Sequence, residues 1–319
     1  MTANDYIQIN NSFGKTLIYK WGAEAGFYSE LNNLLLAMAY CLEYKIKLVI
    51  SCPKNSVNCI HKGWEDYFLP FCPIISNDKK IISHLIYKFD YRQPIGLNRV
   101  KKIIIKIVKK ILKVDYFTSD LWDNFRDYSY ISGIHKVGNY TYNDYFDYYY
   151  DLLCILYNFN PLLKRDIDDL KKSLNLPLDY VAMHIRGGDK VSEYNLIDYQ
   201  KYFDLIKTKK VSSSFIFIFT DDYEIYTRCK NQYPEYNFVT SCKETERGYS
   251  LNELKCLDKN TLYKEYVKMI ASLEVLKEAS IIFGTYTTNP GMFLGIYTYN
   301  KDRKVCKFLD VEGKAWCVT

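Results

Sequence analysis

Short apolar runs rich in β-branched residues alternate with longer amphipathic stretches along the C-terminal half of the chain. The apolar runs predict buried strands, at residues 180–186, 215–220, 237–240 and 281–284. The stretches between them predict helices, at 198–209, from Tyr223 onwards and at 261–280. Strands separated by helices of this length indicate a parallel, doubly wound sheet.

The N-terminal half begins with the same alternation. A strand is predicted at 16–19, followed by a glycine-rich turn, a helix that Ser29 is expected to cap, and a second strand at 47–51. The stretch 161–177, a charged helix bounded by prolines, is the candidate link between the halves. We therefore expect an α/β protein with one domain at 1–165 and another at 166–319.

Composition narrows the class of protein. The chain has 319 residues and 48% hydrophobic content, which indicates a globular protein long enough for two domains. Its net charge is +6, but residues 99–113 hold seven basic residues and no acid, so the remainder carries 6 − 7 = −1. Because the rest is nearly neutral and shows no zinc-finger or RNP pattern, we expect no nucleic-acid partner.

The sequence suggests an intracellular protein. It contains no apolar stretch of the roughly 18 to 20 residues needed to cross a bilayer, and the segment M-T-A-N-D-Y lacks the pattern of a secretory signal. Its ten cysteines form no C-x-x-C pair and are expected to be reduced thiols. The expected location is the cytoplasm, with peripheral membrane contact as an open alternative.

That alternative comes from residues 99–114. Lysines recur there at helical intervals among isoleucines, valine and leucine, which predicts a basic amphipathic helix. Two interpretations remain open. The helix covers the core of its own domain, or it contacts an anionic membrane surface.

Candidate chemistry is densest at residues 179–193, D-Y-V-A-M-H-I-R-G-G-D-K-V-S-E. The predicted strand ends at two glycines, and the carboxyl edge of such a sheet is where α/β proteins bind ligands. The charged or titratable residues gathered there are His184, Arg186, Asp189, Lys190 and Glu193. The arginine fork matches a diphosphate. The alternative is a salt-bridged turn with no ligand.

Two further turns are expected at the same edge. Asp221 and Asp222 offer carboxylates that could accept paired donors such as the N1–H and 2-amino groups of guanine, although such a pair also suits a metal or a helix cap. Thr285, Thr287 and Thr288 precede Asn289-Pro290, which we expect to be a helix N-cap and first helical position. The free amides of Gly291 and Met292 would then face an anion.

These segments resemble a known family. The runs H-I-R-G-G-D-K-V-S-E-Y (184–194), F-T-D-D (219–222) and G-T-Y-T-T-N (284–289) resemble the three C-terminal motifs of GDP-fucose-dependent fucosyltransferases, in particular the core α1,6 group and its bacterial nodulation relatives. The run A-G-F-Y-S-E-L-N-N-L-L-L (25–36) resembles their first loop and helix. Residues from about 60 to 160 match no motif of the family.

The resemblance implies a GT-B architecture, with two facing Rossmann-like domains built on parallel doubly wound sheets. It places the sugar nucleotide in the C-terminal domain and the acceptor beside the N-terminal one. It implies inverting transfer of L-fucose from GDP-β-L-fucose to a glycan hydroxyl. The partners are then the donor and a glycan acceptor, with no cofactor and no metal.

The resemblance also assigns residues. Donor binding falls to His184, Arg186, Gly187, Asp221, Asp222, Thr285, Thr287, Thr288 and Asn289. Among these, His184 and Asp221 would contact guanine, while Arg186 would hold the diphosphate, supported by Thr287 and Thr288. Many relatives carry a second arginine at the position of Gly187, so Arg186 would act here with backbone amides.

For the catalytic step, the resemblance makes Glu193 the base and Lys190 its assistant, with Arg186 on the leaving group. The spacer between Lys190 and Glu193 is one residue shorter than in the α1,6 enzymes, and Glu30 is the rival base. The acceptor side would include Glu24, Phe27, Asn32 and Asn33. Two alternatives stay open: a transferase that uses another GDP- or UDP-sugar, and a catalytically silent binding module.

Overall fold

A computed structural model describes residues 1–22, 25–52, 56–75, 99–127, 133–187, 198–248, 250–303, 305–314 and 316. The chain divides into two compact units, Met1–Asn160 and Pro161–Thr319. Each is built around its own parallel sheet.

The first unit holds strands β1 (Lys15–Lys20), β2 (Ile46–Ser51), β3 (Ile74–Ile75) and β4 (Tyr116–Phe117), in the order β3-β2-β1-β4 with parallel neighbours. Strands β5 (His135–Val137) and β6 (Tyr140–Tyr142) form an antiparallel hairpin. The helices are α1 (Ala3–Asn11), α2 (Phe27–Glu43), α3 (Arg99–Leu112), α4 (Thr118–Arg126) and α5 (Tyr145–Leu156), and Gly63–Asp66 forms a 3₁₀ turn.

Helix α2 begins two residues earlier than its predicted cap. Gly26 is the N-cap residue, in extended conformation, and Ser29 lies inside the first turn. Phe27 and Tyr28 are 1% and 2% exposed, because both rings pack into an aromatic cluster. In that cluster the rings of Trp21 and Trp64 meet edge to face at 5.0 Å. The start of α2 was expected to be set by a capping side chain. It is set instead by the burial of these rings.

The second unit holds β7 (Val181–Ile185), β8 (Phe215–Thr220), β9 (Asn237–Thr240), β10 (Ile282–Gly284) and β13 (Phe308–Asp310), in the order β13-β10-β7-β8-β9, all parallel. Strands β11 (Tyr299–Asn300) and β12 (Val305–Cys306) form an antiparallel pair. The helices are α6 (Pro161–Ser173), α7 (Gln200–Thr208), α8 (Tyr223–Gln232), α9 (Leu251–Cys256), α10 (Lys259–Glu278) and α11 (Asn289–Tyr297).

Helix α6 belongs to the second unit rather than linking the two. It packs along α10, where Tyr263 donates a 3.0 Å hydrogen bond to Asp166 and Lys171 pairs with Glu278. The division between the units at 160/161 therefore lies a few residues before the expected boundary at 165/166.

The strand order of the second sheet confirms the predicted parallel, doubly wound arrangement. From β7 the chain moves outward through β8 and β9, then returns to the other side of β7 with β10. Such a reversal opens a crevice at the carboxyl ends of the two central strands, which is where open α/β sheets bind ligands. Within the described part of the chain, no helix is long and apolar enough to cross a membrane.

Candidate functional site

The crevice at the carboxyl ends of β7 and β10 brings together the three predicted turns. Arg186 and Gly187 follow β7, Asp221 and Asp222 follow the neighbouring β8, and Thr285 follows β10. We treat these turns and His184, near the end of β7, as the candidate site.

Asp221 connects the first two turns. Its Oδ1 accepts the Gly187 N–H at 2.6 Å, and its Oδ2 lies 3.9 Å from Arg186 Nε. The side chains of Arg186 and Asp221 are 19% and 20% exposed, so part of each reaches the edge of the crevice. The guanidinium therefore lies beside this carboxylate, at the position where the sequence predicts an anion.

Gly187 is required by close packing. A Cβ placed on it would lie 2.6 Å from Cβ of Asp222 and 3.3 Å from Oδ1 of Asp221. No side chain fits there while the two turns keep this spacing. This contact explains why the position has glycine.

Asp222 has a capping role. It is the N-cap residue of α8, and its Oδ1 accepts the Glu224 N–H at 3.0 Å. The backbone carbonyl of Asp221 accepts the Gly248 N–H at 2.7 Å, while the Asp221 carboxylate contacts the β7 turn. Of the two predicted carboxylates, Asp221 is the one placed for a ligand.

The turn after β10 differs from its prediction. Thr288, not Asn289, is the N-cap residue of α11, and its hydroxyl accepts the Gly291 N–H at 3.2 Å. The Met292 N–H donates to the Thr288 carbonyl at 2.9 Å. The expectation that these two amides face an anion was wrong, because the threonine cap and the helix itself already use them.

The threonines form a local network. The hydroxyls of Thr285 and Thr287 lie 2.9 Å apart, and the Thr287 N–H donates to Thr285 Oγ1 at 3.2 Å. Thr285 and Thr288 are 5% and 6% exposed, whereas Thr287 is partly exposed. Thr287 is therefore the threonine of the three that can reach a ligand.

His184 is a neutral imidazole at physiological pH. It is 4% exposed and stacks on Phe219 at 5.2 Å. Burial, and then the nearby positive charge of Arg186, lower the pKa of His184 from 6.5 to about 3. Neutral imidazole has one donor nitrogen and one acceptor nitrogen.

The surroundings of His184 indicate which nitrogen is which. Its Nδ1 lies 3.5 Å from Thr288 Oγ1, and that hydroxyl donates its proton to the Thr285 carbonyl at 3.1 Å. Because the Thr288 hydroxyl has one proton and gives it to the carbonyl, it can only accept from the histidine. The proton in the contact with His184 therefore sits on Nδ1. Nε2 is then left as an acceptor.

Asp310 supports the site from outside the predicted motifs. Its Oδ2 accepts the Tyr286 N–H at 2.7 Å, and its Oδ1 accepts the amides of Glu312 and Lys314 at 2.8 and 3.0 Å. It stands at the end of β13, beside β10 in the sheet. No local motif marks this residue, because its partner Tyr286 lies 24 positions earlier in the chain.

In the first unit, Glu30 organises the glycine-rich loop. The side chain is fully buried, and its two oxygens accept the N–H groups of Gly22 and Ala25, both at 3.2 Å. Phe27, predicted on the acceptor side, is instead a core residue, because its ring packs among Trp21 and Tyr67.

The remaining predicted residues divide between partly exposed and undescribed positions. Asn32 and Asn33 are partly exposed, and Asn33 donates to the Ser29 carbonyl at 2.7 Å. Glu24, Lys190 and Glu193 lie outside the described residues, so their roles stay predictions.

Within the described ranges, no cluster of three or more His, Cys, Asp or Glu side chains could hold a metal ion.

Comparison with solved structures identifies the fold. The structure of POFUT1 in complex with GDP matches 93% of this chain and 98% of its own, with a TM-score of 0.50 and 10% sequence identity. The chain shares the fold of this structure. The α/β, GT-B class predicted from the sequence is thereby confirmed.

A second similar structure is that of NodZ alpha-1,6-fucosyltransferase soaked with GDP-fucose. It covers 89% of this chain and 92% of its own, with 13% identity and a TM-score of 0.49. No protein-family model matches the chain, and no curated protein matches it significantly.

Proposed function

We propose that the protein is an inverting fucosyltransferase that moves L-fucose from GDP-β-L-fucose to a hydroxyl of a glycan. The observation that supports this most is the meeting of Arg186, Gly187 and Asp221 at the reversal point of the second sheet. The fold shared with the GDP-bound POFUT1 structure supports the same ligand class.

In this proposal each turn of the site binds a different part of the donor. Arg186, whose guanidinium lies beside the Asp221 carboxylate, holds the diphosphate through its guanidinium fork. Asp221 and the acceptor nitrogen of His184 face guanine, whose N1–H and 2-amino groups are donors. Thr287, the partly exposed threonine, adds a hydroxyl to the phosphates.

The transfer itself needs a base on the side opposite the departing GDP. Glu193, assisted by Lys190, takes the proton of the acceptor hydroxyl as its oxygen bonds to the anomeric carbon. The bond from that carbon to the phosphate oxygen breaks, and GDP leaves with the electron pair. The charge that develops on the diphosphate is stabilised by Arg186.

GDP release is the measurement that tests the proposal. The protein should release GDP from GDP-fucose when a glycan panel is present, and much less from GDP-mannose or UDP-sugars. Arg186→Ala should abolish transfer, while Arg165→Ala, at an exposed arginine in α6, serves as the matched control. Release from another sugar nucleotide alone would favour that donor, and binding without release would favour a silent module.

Guanine selection has a separate test. Asp221→Asn keeps an oxygen for the Gly187 N–H but exchanges the remaining acceptor for a donor. It should weaken GDP binding and narrow the preference for GDP over UDP, measured by calorimetry. An unchanged preference would show that Asp221 does not recognise guanine.

Contact of residues 99–114 with an anionic membrane is a second, separate proposal, because it rests on different residues.

A further inference from the structure

Helix α3 has an inner face that anchors it to the first sheet. Val108 is 4% exposed and forms a cluster with residues of β1, β2 and β4, namely Ile18, Val49 and Phe117. Ile105 and Leu112 pack against the same cluster. Three residues separated by three and four positions share one side of a helix, so this side is the one that covers the core.

A second apolar face of α3 is exposed. It consists of Val100, Ile103, Ile104, Ile107 and Ile111, which are 62%, 57%, 36%, 53% and 67% exposed. Their spacing again places them together along one side. Among the described residues, eleven large hydrophobic side chains are exposed, and these are five of them. Such a concentration on one helix indicates a surface that has a partner.

A basic face lies beside the exposed apolar one. Lys102, Lys106 and Lys110 are exposed and follow one another at intervals of four residues. Lys109 differs, because it pairs with Asp120 at 2.6 Å and lies over the Phe117 ring. Since residues 99–113 contain no acid, the outer surface of the helix combines positive charge with aliphatic side chains.

We propose that α3 docks the protein onto an anionic membrane surface. The exposed isoleucines would enter the boundary between headgroups and acyl chains, and the three lysines would meet lipid phosphates. Charge complementarity favours this partner over two others. A nucleic acid would leave the aliphatic face in water, and a second copy in a twofold contact would bring the lysines of both helices together.

Co-sedimentation of the full chain with vesicles tests this proposal independently of the transferase activity. Vesicles of phosphatidylcholine with phosphatidylserine should bind the protein, and phosphatidylcholine alone should not. Lys102→Gln/Lys106→Gln/Lys110→Gln should lower the partition coefficient on the order of 10²-fold, at about 1 kcal/mol for each lysine near the surface. Ile103→Ser/Ile107→Ser/Ile111→Ser should lower it at least as much, because the apolar contribution is lost.

Matched controls keep the test specific. Lys164→Gln/Lys172→Gln/Lys201→Gln removes the same charge from exposed positions of α6 and α7, and should bind vesicles like the wild type. GDP affinity should be unchanged in all three variants, which separates this proposal from the proposed function. Equal loss in the control, or wild-type binding by both α3 variants, would overturn it. So would self-association that the isoleucine variant abolishes, because a second copy would then be the partner.

Discussion

The backbone N–H of Gly187 donates a 2.6 Å hydrogen bond to the carboxylate of Asp221, a residue that is 34 positions away in the chain. The bond joins the turn after β7 to the turn after β8, and it places the Arg186 guanidinium beside the same carboxylate. The position of one turn therefore depends on the other.

Gly187→Ala should damage the proposed donor site. The added Cβ would lie 2.6 Å from Cβ of Asp222, so the two turns must separate and the bond to Asp221 must lengthen. We expect a loss of about 1 to 3 kcal/mol in unfolding free energy, the usual cost of overpacking. If the separated turns weaken GDP binding by a similar free energy, GDP affinity should fall roughly tenfold or more. Chemical denaturation and calorimetry measure both quantities.

Gly14→Ala is the control for that change, because no atom beyond its two chain neighbours lies within 4 Å of the added methyl group. It should leave GDP affinity at the wild-type value. Wild-type affinity in Gly187→Ala would show that the spacing of the turns does not control donor binding.

Acid should destabilise the protein through His184. Its pKa is about 3 in the folded chain against 6.5 in the unfolded chain, so the unfolded chain binds the proton first. The stabilisation is therefore complete above pH 6.5 and is lost as the pH falls towards 3. Between pH 7 and pH 5, the wild type should lose about 2 kcal/mol of unfolding free energy from this group.

His184→Gln lacks the titrating group, so its unfolding free energy should fall less over the same pH range. Denaturant unfolding of both proteins at the two pH values gives the difference. Equal losses would place the acid sensitivity in other residues and would argue against a buried, neutral His184.

Two glutamates can be separated as catalytic bases. Glu193→Gln removes basicity and keeps shape, so turnover should fall by roughly 10²-fold or more while GDP affinity stays unchanged. Glu30→Gln exchanges an acceptor for a donor opposite a backbone N–H, so it should cost about 1 to 3 kcal/mol in unfolding free energy. Steady-state kinetics and denaturation, measured on both variants, distinguish the two roles.

The reverse result would move the base to the first unit. If Glu193→Gln transfers fucose normally while Glu30→Gln folds with wild-type stability and loses turnover, Glu30 is the base. The buried contacts with Gly22 and Ala25 would then be secondary to its chemistry.

Removal of divalent cations should leave turnover nearly unchanged. Arg186 is placed to offset the charge of the diphosphate, so Mg²⁺ has little to add. Turnover in EDTA, compared with turnover in added Mg²⁺ or Mn²⁺, measures this. Activity that EDTA abolishes and a cation restores would instead make Asp221 and Asp222 metal ligands.

Four of the five strands of the second sheet, and their parallel arrangement, were predictable because burial leaves a strong pattern. The run at 215–220 is continuous and apolar, and it forms β8 with the predicted bounds. The run at 237–240 likewise forms β9 as predicted. Such runs report local hydrophobicity directly, and the helices between them fix the parallel arrangement.

Caps and long-range contacts were less predictable. Thr288 and Asn289 are both good capping residues. The contact of Thr288 with the Thr285 carbonyl decides that Thr288 takes the N-cap position. Phe27 follows a glycine in a loop that looks accessible, yet tertiary packing buries it. The periodicity of α3 showed its lysines and aliphatic residues, but not that one aliphatic face would stay exposed.

The contact of Asp310 with Tyr286 also has a consequence for biosynthesis. The turn after β10 is held by a carboxylate on β13, so it reaches its final form after residue 310 has left the ribosome. Nascent chains released before that point should lack the finished turn, even though the motifs at 184–194 and 219–222 have long been translated.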